Sequence, residues 1–140
     1  MEGRMNTYAE FAENDYIFFR QSYDSGNKGS ALAALGQSLW ERYLKHLISE
    51  CAQVESASKE SVLRTHSLRR LMRYISGDMG IDIPEETESA LDRIDGFYFT
   101  TRYPGDDSFI PTERDIDRAD KAVRLCRDFV FQTMSEIEQE

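Results

Sequence analysis

The stretch from Ser30 to Ala52 constrains the fold of this chain more than any other. Its apolar residues recur at steps of three and four, which places them on one face of a helix. They are Leu32, Leu35, Leu39, Trp40, Tyr43, Leu44, Leu47, Ile48 and Cys51. On the other side Gln37, Glu41 and Lys45 stand four residues apart, in the order that favours an ion pair between the last two. The pattern predicts an amphipathic helix with a core-facing stripe and one polar row.

Four further stretches carry the same helical periodicity. They run from Asn6 to about Asp24, from His66 to Ile75, from Asp82 to about Asp95, and from a Thr112 cap to the end of the chain. The polar segment from Gln53 to Thr65 lacks this periodicity and is expected to be a loop, with at most one helical turn near Ser61 to Arg64. No stretch shows strand alternation. The sequence therefore predicts an all-α, antiparallel up-and-down bundle of four to five helices.

Length and charge narrow the class of protein. A chain of 140 residues is expected to form one domain over residues 1–140. Its net charge of -9 lacks the basic footprint of a sequence-independent nucleic-acid binder, although binding through a local cationic site stays open. Neither a leader nor a membrane span is expected, because no long apolar run occurs. Cys51 and Cys126 lie on apolar stripes and are expected to be buried free thiols, which favours the cytoplasm.

The residues that most often carry chemistry give no catalytic pattern. The two histidines, His46 and His66, lack the spacing of a metal site, and His46 is expected to be an ordinary, partly exposed helix residue. Most aspartates stand at helix starts or turns, where they have structural roles. A glycine-rich phosphate loop, a nucleophile elbow and a Cys-His pair are all missing from the sequence. We therefore expect no metal, no cofactor and no catalytic residue.

The arginines offer a candidate anion site. Four of them cluster near His66 in an otherwise acidic chain: Arg64, Arg69, Arg70 and Arg73. These four either form one anion-binding face or pair with surface acids. Arg102 differs, because Tyr103 and Pro104 restrict the backbone after it and so aim the guanidinium more narrowly.

Short patterns in a fixed order add a family resemblance. They are Asp15 in the first helix, the Gln37, Glu41 and Lys45 row, Thr65-His66-Ser67-Leu68, and Thr101-Arg102-Tyr103-Pro104. In this order the chain resembles the HEPN domains, the higher eukaryotes and prokaryotes nucleotide-binding domains, over nearly its whole length. The resemblance implies a helical bundle that is usually dimeric and similar to the C-terminal domain of kanamycin nucleotidyltransferase. It also implies a minimal nucleotidyltransferase as a partner.

Together, the residues and the resemblance define an expected binding site. It would take a nucleotide or another phosphate-bearing small molecule, and it consists of Glu41, Lys45, His66, Arg69, Arg102 and Tyr103. We expect Lys45, His66 and Arg102 to line one cleft, with the first turn after His66 favouring the same anion. The leading hypothesis is a non-catalytic HEPN module of the toxin–antitoxin or stress-response type that acts with a nucleotidyltransferase.

Two alternatives stay open. Some HEPN branches are metal-independent ribonucleases that carry an arginine and a histidine four to six residues apart. The nearest match here is Arg42 and His46, which stand closer and lie inside the second helix, so an endoribonuclease toxin is the runner-up. A helical interaction protein without a ligand is the third hypothesis.

A homodimer is expected because the first helix carries more aromatic side chains than one bundle can bury: Tyr8, Phe11, Tyr16, Phe18, Phe19 and Tyr23.

Overall fold

The computed structural model describes residues 7–52, 56–95, 104–105 and 110–139. These residues form six α-helices and no strand. The helices are α1 (Tyr8–Asp24), α2 (Ser30–Cys51), α3 (Ala57–Leu63), α4 (Leu68–Arg73), α5 (Glu85–Ile94) and α6 (Glu113–Glu138). The predicted all-α helical bundle is therefore confirmed. None of the helices in the described ranges is both long and apolar enough to cross a membrane.

Helix α2 lies at the centre of the bundle. Its most extensive contacts are with α6, followed by α1. Trp40, Tyr43 and Leu47 have no exposed surface, so the apolar stripe read from the sequence forms the core. Cys126 of α6 is buried as a free thiol, whereas Cys51 at the end of α2 is only partly buried. The expected buried position is thus correct for one cysteine and incorrect for the other.

The polar row of α2, formed by Gln37, Glu41 and Lys45, is less exposed to solvent than the sequence predicted. Gln37 and Lys45 are both buried, and Glu41 between them is half-buried. The sequence placed this row opposite the core, yet α1 and the residues before α4 cover it. A central helix has neighbours on several sides, so its polar residues become internal contacts instead of a solvated surface.

Side-chain caps fix where several helices begin. The hydroxyl of Thr7 accepts a hydrogen bond from the backbone N–H of Glu10 at 3.2 Å and starts α1. At α6 the predicted capping pair is present: Thr112 Oγ1 accepts from the Asp115 N–H, and Asp115 Oδ2 accepts from the Thr112 N–H. Helix α5 begins at Glu85 rather than at the expected Asp82.

Helix α3 occupies a segment that the sequence predicted to be a loop. Ser56 caps it by accepting a hydrogen bond from the N–H of Lys59, and Val62 is buried against the core. The Lys59 ammonium donates to the backbone carbonyls of Ala52 and Ser49 at 3.4 and 3.5 Å. These carbonyls lie at the C-terminal end of α2, where the helix dipole favours a cation. Tertiary contacts, which periodicity does not report, therefore stabilise α3.

The helix expected over His66 to Ile75 is modified at both ends. Ser67 caps it, so α4 begins at Leu68, and a π-helical segment follows over Tyr74–Asp78. In this segment the N–H of Met79 donates to the carbonyl of Tyr74 at 3.0 Å. Ile75 in this segment is buried in the core, and Gly80, two residues after the segment ends at Asp78, has a φ of 67° that favours glycine.

Candidate functional site

A cleft of about 680 Å³ opens between α1, α2 and the residues before α4. It is lined by Tyr8 and Phe11 of α1, by Gln37, Ser38, Glu41, Arg42 and Lys45 of α2, and by His66. Gln37, Glu41 and Lys45 are four positions apart, and so are Ser38 and Arg42, so the helix presents two neighbouring rows to the cleft. We call this space the Glu41 cleft. It combines an aromatic wall with a cluster of charged and hydrogen-bonding groups.

Glu41 connects Lys45 and His66 across the cleft through the same carboxylate oxygen. Its Oε1 atom accepts a hydrogen bond from Lys45 Nζ at 3.1 Å and lies 2.9 Å from His66 Nδ1. The Glu41 and Lys45 side chains are only 13% and 10% exposed, whereas the His66 side chain is 71% exposed. Because Nδ1 faces the carboxylate, Nε2 is the ring nitrogen that a ligand can reach. Glu41 therefore orients a solvent-facing imidazole.

The backbone around His66 is fixed by its neighbours. Thr65 Oγ1 accepts a hydrogen bond from the N–H of Ser67 at 3.1 Å, and Ser67 Oγ accepts one from the N–H of Arg70 at 3.2 Å. The amide nitrogen of the buried Gln37 side chain lies 3.5 Å from the His66 carbonyl oxygen. These contacts hold the histidine at the rim of the cleft rather than leaving it on a mobile loop.

Arg42 forms a second ion pair at the cleft, with Asp15 of α1. The pair joins α1 to α2 on the side of α2 that carries Glu41. In the sequence, Asp15 stands out only as part of the family resemblance, and its partner is not apparent. An ion pair between residues on two different helices depends on how the helices pack, which local spacing does not reveal.

Phe11 and Tyr8 form the aromatic wall of the cleft. Phe11 is 46% exposed, which is high for a large apolar side chain, and Tyr8 is partly buried. Their separation of three residues places them on one face of α1. The aromatic pattern of α1 predicted both residues to lie on a dimer surface, and their place on the wall of the cleft is not apparent from the sequence. Aromatic faces of this kind can stack on a planar ring such as a nucleobase.

The structure brings together three of the expected site residues, Glu41, Lys45 and His66. Arg69 lies elsewhere, because its guanidinium pairs with Asp92 of α5 at 3.0 Å and lines a different groove. Arg102 and Tyr103 lie outside the described residues.

The remaining arginines of the group do not share one face either. Arg70 donates to Ser61 Oγ at 3.1 Å and lines a groove with Arg64, whereas Arg73 lines the groove of Arg69. The four residues divide between two grooves, Arg64 with Arg70 and Arg69 with Arg73. Their closeness in sequence therefore does not produce a single cationic surface.

His46 is buried, contrary to the expected partial exposure. Burial lowers the pKa of its imidazole, an effect that the nearby carboxylates of Glu50 and Glu10 only partly oppose. Its neighbour on the helix surface, Arg42, is held by Asp15. Within the described ranges, no group of three histidine, cysteine or acidic side chains could hold a metal ion.

Comparison with known proteins gives one match. The model of the HEPN domain family matches residues 10–133, which include every residue of the Glu41 cleft except Tyr8. No curated protein and no solved structure shows significant similarity to the chain.

Proposed function

Because the chain belongs to the HEPN domain family, we propose that it is a non-catalytic module that binds a nucleotide or a similar phosphorylated small molecule. The Glu41 cleft is the proposed site. The observation that carries the proposal is that one cleft is lined both by the connected side chains of Lys45, Glu41 and His66 and by the aromatic side chains of Phe11 and Tyr8. A nucleotide has the matching parts, a planar ring and an anionic group.

Each part of the cleft has a role in this proposal. The nucleobase stacks on the exposed face of Phe11, beside Tyr8. The phosphate accepts a hydrogen bond from His66 Nε2 when the imidazole carries a proton there, and Arg42 lies close enough to add a charged donor. Glu41 keeps the imidazole in position from the opposite ring nitrogen. The bound molecule therefore contacts α1, α2 and the start of α4 at once.

The test is calorimetric titration with nucleotides, together with thermal unfolding in their presence. A ligand that binds only the folded chain raises its melting temperature. We expect His66→Ala to weaken binding at least tenfold, about 1.4 kcal/mol. Arg64→Ala is the matched control, because Arg64 is an exposed cation nearby that lines another groove. Equal binding by His66→Ala and the parent would contradict the proposed site.

The same variant tests the absence of catalysis. If the parent protein cleaved RNA and His66→Ala did not, the ribonuclease function would replace the binding role. If no nucleotide produced a thermal shift or a heat of binding, an interaction protein without a ligand would be favoured.

Assembly is a further part of the proposal. The side chains of Ile17 and Phe18 are 58% and 60% exposed on α1, and with Phe11 they form an apolar surface suited to a second copy of the chain. We propose that the homodimer acts with a minimal nucleotidyltransferase. Copurification of the two proteins after coexpression supports this partner, whereas separate elution contradicts it.

The free thiols Cys51 and Cys126 favour a reducing, cytoplasmic setting.

A further inference from the structure

The fixed cations of the Glu41 cleft are already matched by carboxylates. Lys45 Nζ donates to Glu41 at 3.1 Å, and Arg42 pairs with Asp15. Two positive and two negative groups cancel, so these two pairs leave no net charge among the paired residues at the cleft. The site therefore differs from a cleft lined by unpaired lysines and arginines.

Burial makes the Lys45–Glu41 pair hard to separate. Both side chains are about nine-tenths enclosed. A ligand that drew Lys45 away would leave the Glu41 carboxylate enclosed and without its ammonium partner, which is strongly unfavourable. Lys45 thus stabilises the carboxylate that orients His66, and it contributes little attraction to a distant phosphate.

Two of the backbone donors near His66 are also occupied. Many phosphate sites use free N–H groups at the start of a helix. Here the N–H of Ser67 donates to Thr65 Oγ1 and the N–H of Arg70 donates to Ser67 Oγ. Among the described residues that line the cleft, a second or third phosphate group would find neither an unpaired lysine or arginine nor these two amide donors.

From this charge balance we infer that the cleft selects a nucleotide with a single phosphate over the corresponding diphosphate and triphosphate. The inference rests on the proposed function and specifies its ligand class. One phosphate suffices for the imidazole of His66 and the outer edge of the Arg42 guanidinium. Each additional phosphate brings more negative charge close to Asp15 and Glu41, and the described cleft residues offer it no unpaired lysine or arginine.

The first test compares three nucleotides with the same base. Calorimetry in magnesium-free buffer at matched ionic strength measures the Kd of the monophosphate, diphosphate and triphosphate. We expect the monophosphate to bind more tightly than either of the others. A diphosphate or triphosphate that binds as tightly as the monophosphate, or more tightly, would overturn the inference while leaving the binding function intact. Failure of all three to bind would overturn the proposed function as well.

The second test changes the charge balance. Glu41→Gln removes the carboxylate that holds Lys45 and His66, and we expect it to raise triphosphate affinity relative to monophosphate affinity about tenfold. Glu136→Gln is the control, because it removes the same formal charge from an exposed position on α6. Asp15→Asn, which releases Arg42, provides a second variant if Glu41→Gln does not fold. An unchanged affinity ratio in a folded variant overturns the inference.

Discussion

Arg127 of α6 holds Glu13 of α1 through two hydrogen bonds, from Nε to Oε1 at 2.7 Å and from Nη2 to Oε2 at 3.0 Å. The hydroxyl of Tyr43 on α2 donates to the same carboxylate at 2.8 Å. One acidic side chain therefore connects the three longest helices. Partial burial alone would raise the pKa of Glu13, but the hydrogen bonds from Arg127 and Tyr43 outweigh that effect and lower it.

This lowered pKa predicts a specific acid sensitivity. Glu13 stabilises the fold fully above its ordinary pKa of 4.5, and the contribution is lost as the pH falls through the lower pKa of the folded state. Between about pH 5 and pH 3, thermal unfolding should show a steeper loss of stability in the parent than in Glu13→Gln. Parallel pH profiles for the two proteins would show that the contact contributes nothing.

The enclosed indole of Trp40 predicts a large loss of stability on truncation. Trp40 has no exposed surface, so Trp40→Ala should lower the free energy of unfolding by about 3 to 5 kcal/mol. Phe18→Ala, at an exposed position, should change the monomer by less than about 1 kcal/mol. Denaturant unfolding at low protein concentration measures both values. A change below about 1 kcal/mol for Trp40→Ala would contradict the central position of α2.

The apolar surface of α1 predicts that one charge disrupts association. Phe18→Glu places a carboxylate on the surface formed with Phe11 and Ile17, which a second copy would have to desolvate. Light scattering should give the dimer mass for the parent and the 16.2 kDa chain mass for the variant. Gln132→Glu, which makes the same kind of charge change at an exposed position of α6, is the control. A parent protein that is already monomeric at micromolar concentration would refute the dimer.

Arg102 stays a prediction from the sequence. The Tyr103-Pro104 pair restricts the backbone, so the guanidinium loses little entropy on binding a phosphate, and its planar fork can grip two oxygens where lysine cannot. Arg102→Lys should weaken nucleotide binding by about 1.5 to 3 kcal/mol with little change in melting temperature. Arg114→Lys, at an exposed position on α6, is the control. Undiminished affinity in calorimetry, or a mainly unstable variant, would argue for a structural role.

The helices predicted from the sequence are those whose own residues show an apolar stripe or a helix cap. Helix α2 has its apolar stripe, and α6 has both a stripe and the Thr112–Asp115 cap. Helix α3 was missed because Lys59 and Val62 stabilise it through contacts with other parts of the chain.

The same limit applies to the cleft. The four-residue spacing of Glu41 and Lys45 predicted their ion pair, which the structure confirms. The contact between Glu41 and His66, which are 25 residues apart, depends on how α4 packs against α2. Family resemblance named the two residues but not the bond between them. The aromatic wall was missed for a related reason, because the sequence of α1 does not tell which neighbour Phe11 faces.

The Lys59 contact makes the existence of one helix conditional on another. A seven-residue helix such as α3 is too short to be stable alone in water, so its stability depends on contacts with the neighbouring end of α2. Opening the last turn of α2 would remove the carbonyl acceptors of Ser49 and Ala52, and α3 would open with it. The two segments should therefore exchange their amide hydrogens as one cooperative unit, ahead of the interior of α2.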